Sequence, residues 1–359
     1  MGFNKAQNEA IMHGKGPCQV LAGPGSGKTL TIVNRIKYLI ERYEVRPEEI
    51  LVVTFTRFAA AEMKSRLCSL MGKSNVPVTA GTFHGIYYGI LKWAYRLGPD
   101  NILSEEEKYR ILRRVSEDCG TEAAEEEDFL HDIAEEIGLV KNNGLKIGQF
   151  VSKKCRQDTF RELYEKYEAQ RKAVRKLDFD DMLVLCKDLF VSHPDVLKQW
   201  QTKFKYILVD EFQDINRVQY DVIRMLALPE NNLFVVGDDD QAIYGFRGAD
   251  SEFMFRFSED YPQAKRIILN INYRSSGNIE KRFLKEFQSV KENGFCVHVQ
   301  EVKDPNEEAQ YVADEIEKRA ELGISYEEMA VLFRIHTDAR PVAEEFLERK
   351  IPFQMKERI

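Results

Sequence analysis

Short apolar runs recur along the chain, and the stretches between several of them carry apolar residues at helical spacing. Cys18–Ala22, Ile50–Phe55 and Val78–Thr82 have strand length and strand composition. Between the first two, Thr29–Tyr43 sets Ile32, Val33, Ile36, Leu39 and Ile40 on one helical face, and Ala59–Met71 is rich in Ala, Met and Leu. The runs resume at Tyr206–Asp210, Leu233–Gly237 and Arg266–Leu269. Continuous apolar runs predict strands buried on both faces, and strand–helix alternation predicts a parallel sheet with right-handed crossovers. From about 90 to 176 no such run occurs, so this stretch is predicted to be a helical insertion between the third and fourth strands. A last segment predicts a strand at Val297–Val302, a helix near Glu307–Leu322, a strand at Met329–Phe333 and a helix near Ala339–Lys350. Trp93 and Trp200 are assigned to the core.

The chain's 359 residues correspond to about two and a half domains. Its net charge of −7 excludes a uniformly basic polyanion binder but not a local basic groove. The insertion is itself divided: residues 105–136 hold thirteen acidic and four basic side chains, residues 141–176 eleven basic and four acidic. The basic part is either a solvated face or a phosphate-tracking surface. Six scattered cysteines without zinc-ligand spacing fit reduced thiols and a cytoplasmic protein. No 18-residue apolar run is present to span a membrane, and the N-terminus lacks an apolar signal core.

Chemistry concentrates where the predicted strands end. Ala22-Gly23-Pro24-Gly25-Ser26-Gly27-Lys28-Thr29 follows a strand and opens a helix, the context of a phosphate-binding loop. Its backbone would cradle phosphate, Lys28 would reach the β/γ oxygens, and the Thr29 hydroxyl would bind Mg²⁺. Asp210 and Glu211 end another strand; Asp210 is the candidate metal-side acid and Glu211 the candidate general base. After Leu233–Gly237, Gln241 is placed to sense a γ-phosphate, and Tyr244, Phe246 and Arg247 combine aromatic faces with a cation, which suits stacking on unpaired bases. Arg274, just beyond the last strand of the sheet, can neutralise charge on a transferring phosphoryl group. Thr54–Thr56 and Thr82–His84 close two neighbouring strands and could line a nucleic-acid backbone groove, or their phenylalanines could be core.

These residues resemble the motifs of superfamily 1 DNA helicases of the UvrD/Rep/PcrA type, in the family's order and over nearly the whole chain. Phe3-Asn4…Gln7 resembles the adenine-reading Q motif, AGPGSGKT motif I, TFTRFAAAEM motif Ia and GTFHG the next DNA-contact motif. DEFQDIN resembles motif II, GDDDQAIYGFRGA motif III, NINYRSSGNI the motif with the first arginine finger, and VLFRIHTDAR the motif that begins the second motor domain. The resemblance implies an α/β P-loop NTPase (RecA-like) fold: an ATP-binding motor domain over 1–89 and 177–274, a helical insertion over 90–176, and an incomplete second RecA-like domain over 275–359.

It also implies ATP and Mg²⁺ as cofactors and a motor moving 3′→5′ on single-stranded DNA and at single/double-strand junctions. By the same resemblance Gln7 reads adenine and Tyr273 stacks on it. Lys28, Thr29, Asp210, Glu211, Gln241 and Arg274 form the catalytic half-site, and Thr56, His84, Tyr244, Phe246 and Arg247 contact the strand. The chain departs from the family pattern at Leu30, where Arg is usual, at Phe246, where Trp is usual, and at Arg57-Phe58, where Asn-Lys is usual. Nothing before Ile359 resembles motifs V and VI, which carry the second arginine finger. The expectation is an N-terminal portion that binds ATP and single-stranded DNA but turns over slowly. The alternative is a non-motor DNA-binding module switched by ATP.

Overall fold

Side chains along the central strands divide by parity. In β2 (Ile50–Thr54), Leu51 and Val53 enter one buried cluster while Ile50 and Val52 enter another. β4 (Tyr206–Val209) and β5 (Leu233–Gly237) split the same way, Ile207, Val209, Leu233 and Val235 on one face and Tyr206, Leu208, Phe234 and Val236 on the other. With β1 (Cys18–Ala22), β3 (Thr79–Thr82) and β6 (Lys265–Leu269) they form a six-stranded parallel sheet, ordered β3-β2-β4-β5-β1-β6. This computed structural model describes residues 2–121, 123–124, 126–242, 245, 252–276, 288–292, 294 and 296–355.

The helices α1 (Lys5–Met12), α2 (Lys28–Arg42) and α3 (Arg57–Met71) pack their apolar residues into the cluster on one face. α4 (Phe83–Tyr95), α8 (Phe179–Ser192), α10 (Arg217–Ala227) and α11 (Glu252–Asp260) pack into the other, bordered by α9 (Pro194–Lys203). Both faces of the sheet are therefore covered, as its apolar runs predict. Trp93 is a correction: it is 53% exposed at the end of α4, meeting the half-buried Trp200 edge-on. Trp93 lies near the C-terminal end of α4, two residues after the last buried position Leu91, and sequence hydrophobicity carries no signal for that.

The insertion has a core of its own. α5 (Glu105–Asp118), α6 (Glu127–Asn142) and α7 (Gln157–Ala173) bury Leu112, Val115, Leu130, Ile133, Ile137, Phe160 and Leu163 against one another. α4 runs without a break past residue 90, so the insertion leaves the sheet domain later than the apolar pattern suggested. It is pinched at its base, where Leu103 N–H donates to Leu177 O and Leu177 N–H donates to Asn101 O, both at 2.8 Å. Of the eleven cations in 141–176, seven are paired with carboxylates: Lys141, Lys154, Arg161, Lys166, Arg171, Lys172 and Lys176. Most of the basic segment thus neutralises the acids of the same insertion and its neighbours rather than presenting an open cationic stripe.

Beyond β6, β7 (Ile271–Ser276) and β8 (Gln288–Lys291) form a separate two-stranded parallel ribbon that no apolar run announced. The chain divides into two compact units, 1–294 and 295–359. In the second, α12 (Pro305–Glu321) and α13 (Ala339–Glu348) bury Ala309, Ala313, Val342, Phe346 and Ile351. The strands expected at 297–302 and 329–333 are not formed. Val299 and Leu332 are 81% and 91% exposed, and neither segment has a strand to pair with among the described residues. No helix among the described residues is long and apolar enough to cross a membrane.

Candidate active site

The phosphate-binding loop is built by two glycines that no other residue replaces without strain. Gly25 and Gly27 have φ of +68° and +87°. A Cβ on Gly25 would lie 2.2 Å from Asn272 Oδ1 and 2.6 Å from Arg274 Cβ, so β7 packs directly against the loop. Ser26 Oγ donates to Gly23 O at 2.7 Å and tightens the turn. Gly27 then caps α2 with no side-chain acceptor, which leaves the first-turn N–H groups to an anion.

Lys28 leaves this helix end and donates to Glu211 Oε2 at 3.1 Å, linking the loop to the end of β4. Glu211 has φ +51°, a left-handed turn that swings its carboxylate away from the strand direction. Beside it Asp210 is only 6% exposed; burial, and then the Glu211 charge, push its carboxyl up to about 7. A buried acid held so high is short of positive charge, and a divalent cation beside Thr29 would supply it.

Gln213 ties this end of the sheet together. Its Nε2 donates to Glu211 Oε2 at 2.9 Å and to Asp214 Oδ2 at 3.3 Å, and its Oε1 accepts from Asp238 N–H at 3.0 Å. Gln241 Nε2 in turn donates to Asp238 Oδ2 at 2.5 Å. Lys28, Glu211, Gln213, Asp238 and Gln241 are thereby one hydrogen-bonded chain from the loop across β4 to β5. Sequence patterns assign no role to Gln213 or Asp238. Their positions, Asp238 directly after β5 and Gln213 four residues after β4, were the available signal.

On the other side of the loop, Asn4 and Gln7 form a reciprocal capping box at the start of α1. Gln7 is 4% exposed and donates through Nε2 to Ser26 O at 3.0 Å; Asn4 Nδ2 donates to Tyr273 OH at 2.9 Å. Tyr273 N–H donates to Gly25 O at 3.0 Å. Asn272 Oδ1 accepts from the N–H groups of Arg274 and Ser275 at 2.7 and 3.0 Å, leaving the Arg274 side chain exposed. The structure therefore brings Gln7, Tyr273 and Arg274 to the loop residues 22–29.

Thr56, two residues beyond β2, and Thr82, the last residue of β3, play the same part. Each hydroxyl caps the following helix, accepting from Ala59 N–H at 3.1 Å and Gly85 N–H at 3.2 Å. Two helix N-termini thus sit side by side on one edge of the sheet. Phe83 is buried core. His84 is half-buried and meets the ring of Phe179, 44% exposed at the start of α8, edge-on at 5.9 Å. Phe179 has no apolar period to single it out, and sequence patterns did not. Tyr244, Phe246 and Arg247 lie outside the described residues.

The family described as the UvrD/REP helicase N-terminal domain matches residues 3–262, and the UvrD-like helicase C-terminal domain matches residues 263–359. The chain is 37% identical over 373 residues to YjcD of Bacillus subtilis (strain 168), covering 98% of this chain and 48% of that protein. It is 36% identical over 375 residues to the ATP-dependent DNA helicase PcrA of Staphylococcus epidermidis (strain RP62A), covering 98% of this chain and 50% of that one. PcrA of Staphylococcus aureus (strain Mu50) is 34% identical over 373 residues, with 98% and 50% covered. The chain spans about half the length of these curated relatives. Loop, acids and flanking motifs meet at one end of a parallel sheet, and both family domains match in sequence: the chain belongs to the UvrD/REP helicase family.

Proposed function

We propose that the chain binds ATP with Mg²⁺ and single-stranded DNA, and serves an ATP-dependent DNA helicase or translocase that moves 3′→5′ and opens duplex at single/double-strand junctions. The observation that carries this reading is the Lys28–Glu211 pair at 3.1 Å, which sets the phosphate-loop cation against the candidate base. Thr29 and Asp210 would hold Mg²⁺, which when bound neutralises phosphate charge and orients the leaving group. Lys28 and the open N–H groups of α2 grip the phosphate chain. Glu211 orients a water and accepts its proton on Oε. Gln241, hydrogen-bonded to Asp238, reports occupancy of the γ position. The exposed Arg274 guanidinium covers developing charge on the transferred group. Gln7, the loop residues Ala22–Gly27 and Tyr273 enclose the base and the phosphates.

On the strand side, Thr56 and His84 with the adjoining helix N-termini would take phosphates, and Phe179 offers a ring next to His84 for a base. Tyr244, Phe246 and Arg247 are proposed to complete that track. The separate core of α5–α7 supports a helical insertion within a motor domain, and the remaining division, a first motor domain ending near 274 and a second over 275–359, is proposed with it.

The test is ATP hydrolysis with and without oligo-dT, together with displacement of 3′-tailed and 5′-tailed duplexes. The reading expects nucleotide binding and slow hydrolysis by this chain that depend on Lys28, and displacement of the 3′-tailed substrate by a longer protein that contains it. Nucleotide binding indifferent to Lys28→Ala would overturn it. ATP-dependent DNA affinity with no displacement would replace the motor by the switch.

A further inference from the structure

β3 is the outer strand of the sheet and pairs only with β2 among the described residues. In a parallel pair alternate backbone groups face away from the partner, so β3 presents N–H and C=O groups to whatever lies beyond it. What lies beyond is a groove of about 530 Å³ running along β3 between α3 and α4 to the end of α9. Small residues keep it open: Ala60 and Ala61 on one side, Gly85 and Gly89 on the other, with empty space where a Cβ on Gly89 would stand.

Its charge is one-sided. Arg57, Lys64 and Lys203 line it, all exposed and none in a salt bridge among the described residues, and none of its fourteen lining residues is acidic. On a chain of net charge −7 this is a local inversion. The aromatic end is already occupied: Phe204 stacks on Trp200 at 5.7 Å, and Lys203 Nζ sits over the same ring at 4.7 Å. Lys203 Nζ also lies 5.0 Å from the Phe204 ring, so both groups crowd one side of Trp200, and what sets the groove apart from a nucleic-acid track is its unpaired strand edge.

We infer that the β3 edge is a docking site for an extended acidic peptide of a partner protein, which adds as a further strand. The peptide backbone continues the sheet ladder, alternate carboxylates meet Arg57, Lys64 and Lys203, and an apolar side chain packs beside Trp200 and Phe204. None of the groups it uses belongs to the nucleotide site, but Arg57, Thr82 and Gly85 adjoin the helix N-termini proposed for DNA, so the dT arm of the experiment separates the two readings.

The experiment measures fluorescence anisotropy of a labelled octapeptide of alternating Asp and Val ending in Phe. Its controls are a Lys-for-Asp counterpart, a version N-methylated at alternate amides, and a labelled dT oligomer. Saturable binding of the acidic peptide is expected, with no binding of the basic one. The double variant Lys64→Glu/Lys203→Glu should weaken it about tenfold or more, and so should N-methylation. Gly89→Phe, placed over open space, should block the groove while thermal melting stays unchanged.

Absence of saturable binding overturns the proposal. Insensitivity to N-methylation also overturns it, by reducing the contact to charge alone. A loss of dT affinity in Lys203→Glu equal to the loss for peptide assigns the groove to nucleic acid. Self-association abolished by the double variant assigns it to a second copy of the chain.

Discussion

Two clusters of buried charge lie on this chain, and they are built to opposite ends. At the base of the insertion, the Lys141 ammonium contacts Glu168, Asp178 and Asp181 at 2.7, 2.7 and 2.9 Å, and Arg171 contacts Glu168 and Asp181 at 2.8 and 2.9 Å. Tyr167 OH donates to Asp178 at 2.8 Å. Three carboxylates converge there closely enough to hold a metal ion, but the ammonium occupies that place. At the end of the sheet, Lys28 is the one cation paired with Glu211, beside Asp210, among the described residues, and Glu211 remains 35% exposed. Both clusters hold more acid than base. The closed one answers by sharing protons and packing, which joins α6 and α7 to α8. The open one leaves a deficit of positive charge beside an anion-binding loop. Number of charges does not separate a lock from a site; access of a further cation does.

Four changes break or sharpen that contrast. Glu211→Gln keeps a hydrogen-bond acceptor for Lys28 but removes the base, so hydrolysis should fall about 10²–10⁴-fold with nucleotide affinity retained; pre-steady-state turnover and binding titrations check both halves. Lys141→Met removes the ammonium shared by three carboxylates and leaves the buried Asp178 with no salt-bridge partner among the described residues, which should cost about 3–5 kcal/mol in urea unfolding. A cost under about 1 kcal/mol would mean that the closed cluster is wet after all.

Gln213→Ala frees the buried Asp238 N–H and one Glu211 contact, for a loss of about 1–3 kcal/mol and slower hydrolysis. The smallest effect is a pH dependence. Burial, and then the Asp178 charge, raise the Asp181 carboxyl well above its ordinary range. A raised folded-state pKa means that the folded chain holds the proton more tightly. The stability it confers is full at acid pH and is lost as pH rises through the raised value. Asp181→Asn should remove that slope, so the stability of wild type relative to variant falls from pH 5 to pH 8 in chemical denaturation.

The sheet was legible in the sequence because its strands are buried on both faces. ILVVT, YILV and LFVVG are continuous apolar runs, and the residues assigned to chemistry follow within a few positions of each strand's end. The loop at residues 22–29 was legible because its glycines mark the positive φ at positions 25 and 27, which side-chain-bearing residues adopt only with strain. β7 was not, since INYRSS is polar and is held by Gly25 and Asn272 rather than by a core. Gln213 and Phe179 escaped for the same reason: what they do depends on partners distant in sequence, Asp238 for one and His84 for the other. The extended segments near Val299 and Leu332 erred in the other direction, with strand composition but no strand to pair with among the described residues. The charge runs of the insertion misled because linear charge says nothing about pairing: Lys141 and Arg171, counted as a basic surface, are buried in the lock.

The central claim is that the open cluster is a nucleotide site, distinct from the strand-binding edge. Titration of the chain with a fluorescent ATP analogue in Mg²⁺, and in parallel with labelled oligo-dT, tests it most directly in wild type and Lys28→Ala. The account predicts saturable binding of both by wild type, with nucleotide affinity lost by at least about 100-fold in Lys28→Ala and oligo-dT affinity unchanged. Equal nucleotide affinity in the two proteins would contradict it.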